Sequence, residues 1–174
     1  VARRRSARPL TVTVHLSGVR ETIAAFNQMP KDASHELRTR SKRIAERLEG
    51  RIAMAARASS SQSAKVAPTV KARRDRVPVV VAGGARRVFA TSRPRQKPRA
   101  AGLVLFGANF GATYLKQFRP HRAGGGADYW FFSTVDAYSS RMDREWNDAV
   151  DEITRRWAAG GGSTRAFTAY GRAA

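Results

Sequence analysis

The chain contains no cysteine, which excludes disulfides and thiolate metal sites and fits production in a reducing cytosol. Histidine is almost as scarce. His15, His35 and His121 stand in three separate local contexts, without the spacing of a metal-ligand set. No apolar run approaches the roughly 20 residues that a membrane span requires, and the basic start leads into no apolar stretch. Neither a membrane segment nor a signal peptide is expected. The glycines at 107 and 111, and at 124–126, are not followed by Lys-Ser/Thr, so they do not form a phosphate loop. The acids Glu46 and Glu49, and Asp148, Asp151 and Glu152, fall on charged helix faces, with no local pocket to tune a pair for acid–base work. Neither catalysis nor a cofactor is expected.

What the sequence does have is positive charge. Thirty-three Lys and Arg against thirteen Asp and Glu give +20, with a pI near 11.7. A compact chain with that charge repels itself, so an acidic partner is expected, either nucleic acid or an acidic protein surface. Zinc-finger, RNA-recognition and helix-turn-helix patterns are missing. Contact with DNA would therefore run through phosphates without reading sequence. Tyr129, Trp130, Phe131 and Phe132 are adjacent rather than interleaved with arginine, which suits packing better than base stacking.

The length suits one compact domain over 10–158, between a basic arm (1–9) and a glycine-rich tail (159–174). Arg3, Arg4 and Arg5 lie in the arm. Leu10 to Leu16 alternates as a half-buried strand, and Val19, Ile23 and Phe26 make a short helix ended by Pro30. A long helix follows, from about Asp32 or Ser34 to about Ala58, with Leu37, Ile44, Leu48, Ile52 and Ala55 on one face. Gly50 interrupts it and is expected to mark a close packing contact. The serine run at 59–63 stops the helix and opens a basic loop over 59–76, which includes Arg73, Arg74 and Arg76. Those three and the arm's arginines are the candidate contacts to DNA or a partner.

Val77 to Ala82 reads as a buried strand, Gly83-Gly84 as a turn, 91–100 as an exposed loop and Ala101 to Phe106 as another strand. The cleanest amphipathic pattern comes last. Val135, Tyr138, Met142, Trp146, Ile153 and Trp157 share one helical face and are its expected core. Ser133 or Thr134 is the expected cap, and Gly160 to Gly162 the stop. The sum is an α+β fold, with a small, mostly antiparallel sheet packed on the long central helix and a C-terminal amphipathic helix.

The motifs Gly107-Ala108-Asn109-Phe110-Gly111, Phe118-Arg119-Pro120 and Tyr129-Trp130-Phe131-Phe132-Ser133-Thr134-Val135 resemble those of tail-completion or head–tail joining neck proteins. These proteins belong to long-tailed (siphovirus-type) bacteriophages, and the style is closest to members from phages of actinobacteria. Members often carry an acid where this chain has Asn109, and a proline where it has Ser133. The resemblance implies an α+β subunit of a ring, commonly six-fold, made in the host cytoplasm and placed in the virion between the head connector and the tail tube. Identical copies and the adjoining connector and tail proteins would be its partners, and genomic DNA would pass through the bore. Phe106, Asn109, Phe110, Phe118, Tyr129, Trp130, Asp148 and Asp151 are the expected interface residues, the two acids meeting a neighbour's basic segment. The alternatives are a non-specific, nucleoid-type DNA-binding protein and another minor tail-assembly protein.

Overall fold

The computed structural model describes residues 9–13, 16, 18–89, 97–111, 118 and 129–159. Arg3, Arg4 and Arg5, most of the 91–100 loop and residues 160–174 lie outside this set. The fold is α+β. Strand β1 (Pro9–Thr13) is followed by helix α1 (Val19–Gln28), the 29-residue helix α2 (Lys31–Ser59) and the short helix α3 (Ser61–Val66). A 3₁₀ turn at Ala67–Thr69 leads into strands β2 (Lys71–Arg73), β3 (Val79–Gly83), β4 (Arg87–Val88) and β5 (Arg99–Ala100). Helices α4 (Ala101–Phe110) and α5 (Trp130–Ala159) complete it.

Both sheets are antiparallel. One has the order β1-β3-β2, with Thr11 opposite Val81 and Ala72 opposite Val80; the other is the β4–β5 pair. The central strand β3 is buried from Val79 to Ala82, which is why it reads as a continuous Val-rich run rather than an alternating one. Strand β2 lies at an edge, where an unpaired N–H invites another chain. Glu49 of α2 closes that position: one carboxylate oxygen accepts the Ala72 N–H at 2.7 Å and the other accepts from the Lys71 ammonium at 3.1 Å.

Helices α2 and α5 pack along each other and hold the core between them and the sheet. Leu37, Leu48 and Ile52 from α2 meet Met142, Trp146 and Ile153 from α5, joined by Phe26, Val80, Leu105 and Phe131. The expected core face of α5 is present, with Trp157 only partly buried at its end. Trp146 is fully buried, and its indole N–H donates to the Arg76 carbonyl at 2.9 Å. Ser41, buried in α2, donates to the same oxygen at 2.7 Å. One backbone carbonyl thus takes both donors, and the β2–β3 connection is fastened to both long helices.

Four sequence expectations change. The run Ala101–Phe106 is helical, not a strand: β5 ends at Ala100 and the chain turns directly into α4. The first N–H groups of α4 are satisfied by the turn before it, Ala101 N to the Arg86 carbonyl at 2.7 Å and Gly102 N to the Gly84 carbonyl at 3.0 Å. That turn must approach closely: a Cβ on Gly83 (φ 81) would sit 2.8 Å from the Gly102 Cα. Helix α5 starts at Trp130, so Ser133 and Thr134 are not its caps; their hydroxyls bond back to the carbonyls of Tyr129 and Trp130. The serine run breaks the helix only at Ser60, whose hydroxyl caps α3, and most of 59–76 is helix, 3₁₀ turn and strand rather than loop. Gly50 marks no packing contact, since a Cβ there would meet nothing within 4 Å.

Candidate subunit interface

The glycine and aromatic motifs make the joint between α4 and α5. Gly107 lies under the Phe118 ring, where a Cβ would come within 2.6 Å of an aromatic carbon. The Ala108 carbonyl accepts the Trp130 indole N–H at 3.3 Å. Asn109 is 2% exposed, and its Oδ1 accepts the Phe131 backbone N–H at 2.9 Å. The last turn of α4 therefore caps the first turn of α5, supplying from another helix the acceptor that a local Ser or Asp would normally provide. Gly111, with φ 78, ends α4 through a bond from its N–H to the Gly107 carbonyl at 2.9 Å.

This geometry reassigns two expected interface residues. Asn109 and Trp130, the latter 3% exposed, are committed to the interior of the subunit and present little to a neighbour. Asn109 Nδ2 is buried with no hydrogen-bond partner among the described residues. A carboxylate at this position, as in the resembling family, would accept the same N–H and leave no orphan donor.

The other half of the joint faces outward. Phe106 is 51% exposed and stacks on Phe110, with centroids 5.8 Å apart. Phe110 meets Tyr129 edge-on at 5.0 Å and Phe132 at 5.8 Å. Phe110, Phe118 and Tyr129 are partly buried. Leu103, 62% exposed, extends the ridge by one turn of α4. Leu103, Phe106 and Phe110 follow i, i+3, i+7 spacing opposite Val104, Leu105 and Ala108, which face the core. Leu103 was not among the expected interface residues; that stripe is visible only once 101–110 is recognised as helical.

The acidic face of α5 divides in two. Glu36, Arg40, Glu152 and Arg156 form a closed quartet between α2 and α5, with contacts of 3.0 Å (Arg40–Glu36), 2.9 Å (Arg156–Glu36) and 2.7 Å (Arg156–Glu152), and a bidentate Arg40–Glu152 pair. Hydrogen bonds from Arg40 hold the half-exposed Glu152 carboxyl at about 2, well below its usual value. Glu145 takes Arg47 and Arg141. Burial pushes its carboxyl up, but the bonds from Arg141 and Arg47 outweigh that and its pKa falls. Arg51 and Arg141 lie against the Tyr138 ring, 4.6 and 5.7 Å from its centroid. Asp136, Asp148 and Asp151 are exposed and make no ion pair with a described residue.

Along this seam runs a shallow groove of about 390 Å³ lined by Arg40, Arg47, Arg141, Glu145, Asp148, Ala149 and Glu152. Its guanidinium groups are all paired with carboxylates, so it offers neither a free anion site nor a poised acid–base pair.

No family model, curated protein or solved structure matches the chain. Among the described residues, no group of three His, Cys, Asp or Glu side chains is placed to hold a metal ion, and no helix is long and apolar enough to cross a membrane. Of the basic candidates, Arg74 reaches His35 at 2.9 Å, and Arg76 donates to Asn27 at 2.6 Å while its carbonyl anchors Trp146. Arg73 is exposed on edge strand β2. These three belong to different local contacts rather than to one binding cluster.

Proposed function

We propose that this chain is a structural subunit of the neck of a long-tailed phage particle. Copies of it form a ring, six-fold in the resembling family, between the head connector and the tail tube or at the end of the tail, and genomic DNA passes through without being read. The subunit performs no chemistry. Its place is the virion, after synthesis in the host cytoplasm.

One observation carries the reading. The segment that bears the resemblance does two things at once: its buried half locks α4 to α5, while its outer half leaves an aromatic ridge on the surface. An exposed apolar ridge is a liability in an isolated protein and an asset in one that lives in an assembly. Charge supports the same reading. The thirty residues of α5 hold six of the thirteen carboxylates but only four of the 33 basic side chains, so each subunit has an acidic element to offer to a cationic neighbour.

The test is reconstitution. Particles made without this chain should give DNA-filled heads and finished tails that do not join, and adding the purified protein should restore joined, infectious particles. Normal joining in its absence would end the proposal. The net charge of +20 favours the second reading, a free DNA-compacting protein. That reading requires the chain to coat duplex DNA in the absence of any particle.

A further inference from the structure

Among the described residues, four large apolar side chains are exposed: Met54, Phe89, Leu103 and Phe106. Three of them fall on connected elements. Phe89 directly follows β4, β4 pairs with β5, and β5 runs straight into α4 with Leu103 and Phe106. Through Phe110 the patch continues to Tyr129 and Phe132 at the first turn of α5. Its surroundings are cationic. Arg86, Arg87, Lys97 and Arg99 are exposed on the flanking strands and make no ion pair with a described residue. The backbone carbonyls of Pro68 and Pro98 take Arg86 and Arg87 at 3.4 and 2.9 Å, which holds the guanidinium groups beside the patch without neutralising them.

An apolar centre with a charged rim is the anatomy of a protein–protein contact. The complementary surface is on the same molecule. The outer face of α5 carries Asp136, Asp148 and Asp151, the acids that α2 leaves unpaired, with the small residues Ser133, Ala137 and Ser140 between and before them. Asp148 lies sixteen residues beyond Phe132, about 24 Å along the helix. The two surfaces are therefore separate, and one contact does not consume the other.

We infer that the α4 patch of one copy seats on the outer face of α5 of the next, with Arg86, Arg87 and Arg99 meeting Asp148 and Asp151. The contact is heterologous: each subunit offers one patch and one acidic face, so copies add in a single direction until the ring closes. This rests on the ring reading and specifies which faces build it.

The test uses the full chain and two variants, L103D/F106D and D148K/D151K, with M54D as a control for an exposed apolar residue elsewhere. All substituted side chains are solvent-exposed, and circular dichroism checks that each variant is folded. Molar mass is then measured by light scattering after gel filtration. The wild type and M54D should form the same discrete oligomer. Each of the other variants should associate at least about tenfold more weakly, since each loses two central contacts. Each variant still keeps one intact face. An equimolar mixture of the two should therefore give a 1:1 pair, twice the 19.1 kDa chain mass, that grows no further.

Wild-type assembly by L103D/F106D overturns this interface and leaves the ring reading standing. So does a mixture that stays monomeric, because the two faces then do not meet each other. Equal disruption by M54D also overturns it, since the effect is then not specific to the patch. A wild type that is monomeric at every concentration removes both the interface and the ring.

Discussion

The indole N–H of Trp146 donates to the Arg76 carbonyl at 2.9 Å, and Ser41 donates to the same oxygen at 2.7 Å. Trp146→Phe removes one donor and leaves a partly filled space in a sealed core, at a cost of about 2–3 kcal/mol. Ser41→Ala alone costs about 1 kcal/mol, because the carbonyl keeps its indole partner. Together the two substitutions orphan the carbonyl and should exceed the sum of the single effects by about 0.5–1 kcal/mol. Urea unfolding of the four proteins in this cycle checks it; strict additivity would mean that the oxygen is solvated in some other way.

Asn109 is a cap supplied by a neighbouring helix. Asn109→Ala should lower stability by about 1–2 kcal/mol, the usual loss of an N-cap, and loosen the α4–α5 joint. Asn109→Asp keeps the acceptor and removes the orphan amide donor, so it should keep most of the stability that Ala loses. Thermal unfolding of the two variants side by side tests the ranking. Equal stability of Ala and Asp would contradict the capping role.

Two glycines should respond in opposite directions. Gly50→Ala meets open space in the middle of α2 and should stabilise the chain by about 0.5–1 kcal/mol. Gly83→Ala combines φ 81 with a Cβ 2.8 Å from the Gly102 backbone, and should cost more than about 1 kcal/mol. Melting temperatures that move the same way in both variants would count against this account of the turn.

The Glu152 carboxyl titrates at about 2 when folded, against 4.5 for the free group, because Arg40 bonds its ionised form. A group whose folded pKa is depressed adds stability above its unfolded value and loses it as pH falls through the folded one. The advantage of wild type over Glu152→Gln should therefore be complete above about pH 4.5 and fade towards pH 2. Raised salt should shrink it, since the pair is half exposed. A difference between the two proteins that is constant across this range would show that the quartet contributes no pH-dependent stability.

The two long helices were legible because each carries its own evidence: one apolar face repeated over seven or eight turns, and a complementary polar face. The Val-rich strand was legible for a related reason, burial on both sides. Ala101–Phe106 was not. A run of six apolar residues satisfies a buried strand and a buried helix equally, and the carbonyls that start α4 belong to Gly84 and Arg86, far from any local signal. The start of α5 was missed for the same reason, since its cap is the side chain of Asn109, twenty-two residues upstream of Phe131. Interface residues were half legible. The motif marked the right segment, but only helix geometry separates Asn109 and Trp130, turned inward, from Leu103 and Phe106, turned out. Likewise, composition marked α5 as acidic, while only packing shows that Glu145 and Glu152 are occupied by α2.

The central claim is that this cationic chain closes on itself, and sedimentation of the purified full-length protein over a range of concentrations and salt tests it most directly. The account predicts one discrete species at a whole-number multiple of 19.1 kDa, most simply six, that dissociates without intermediates as it is diluted. A monomer at all concentrations, which binds duplex DNA with a steep salt dependence, would contradict it.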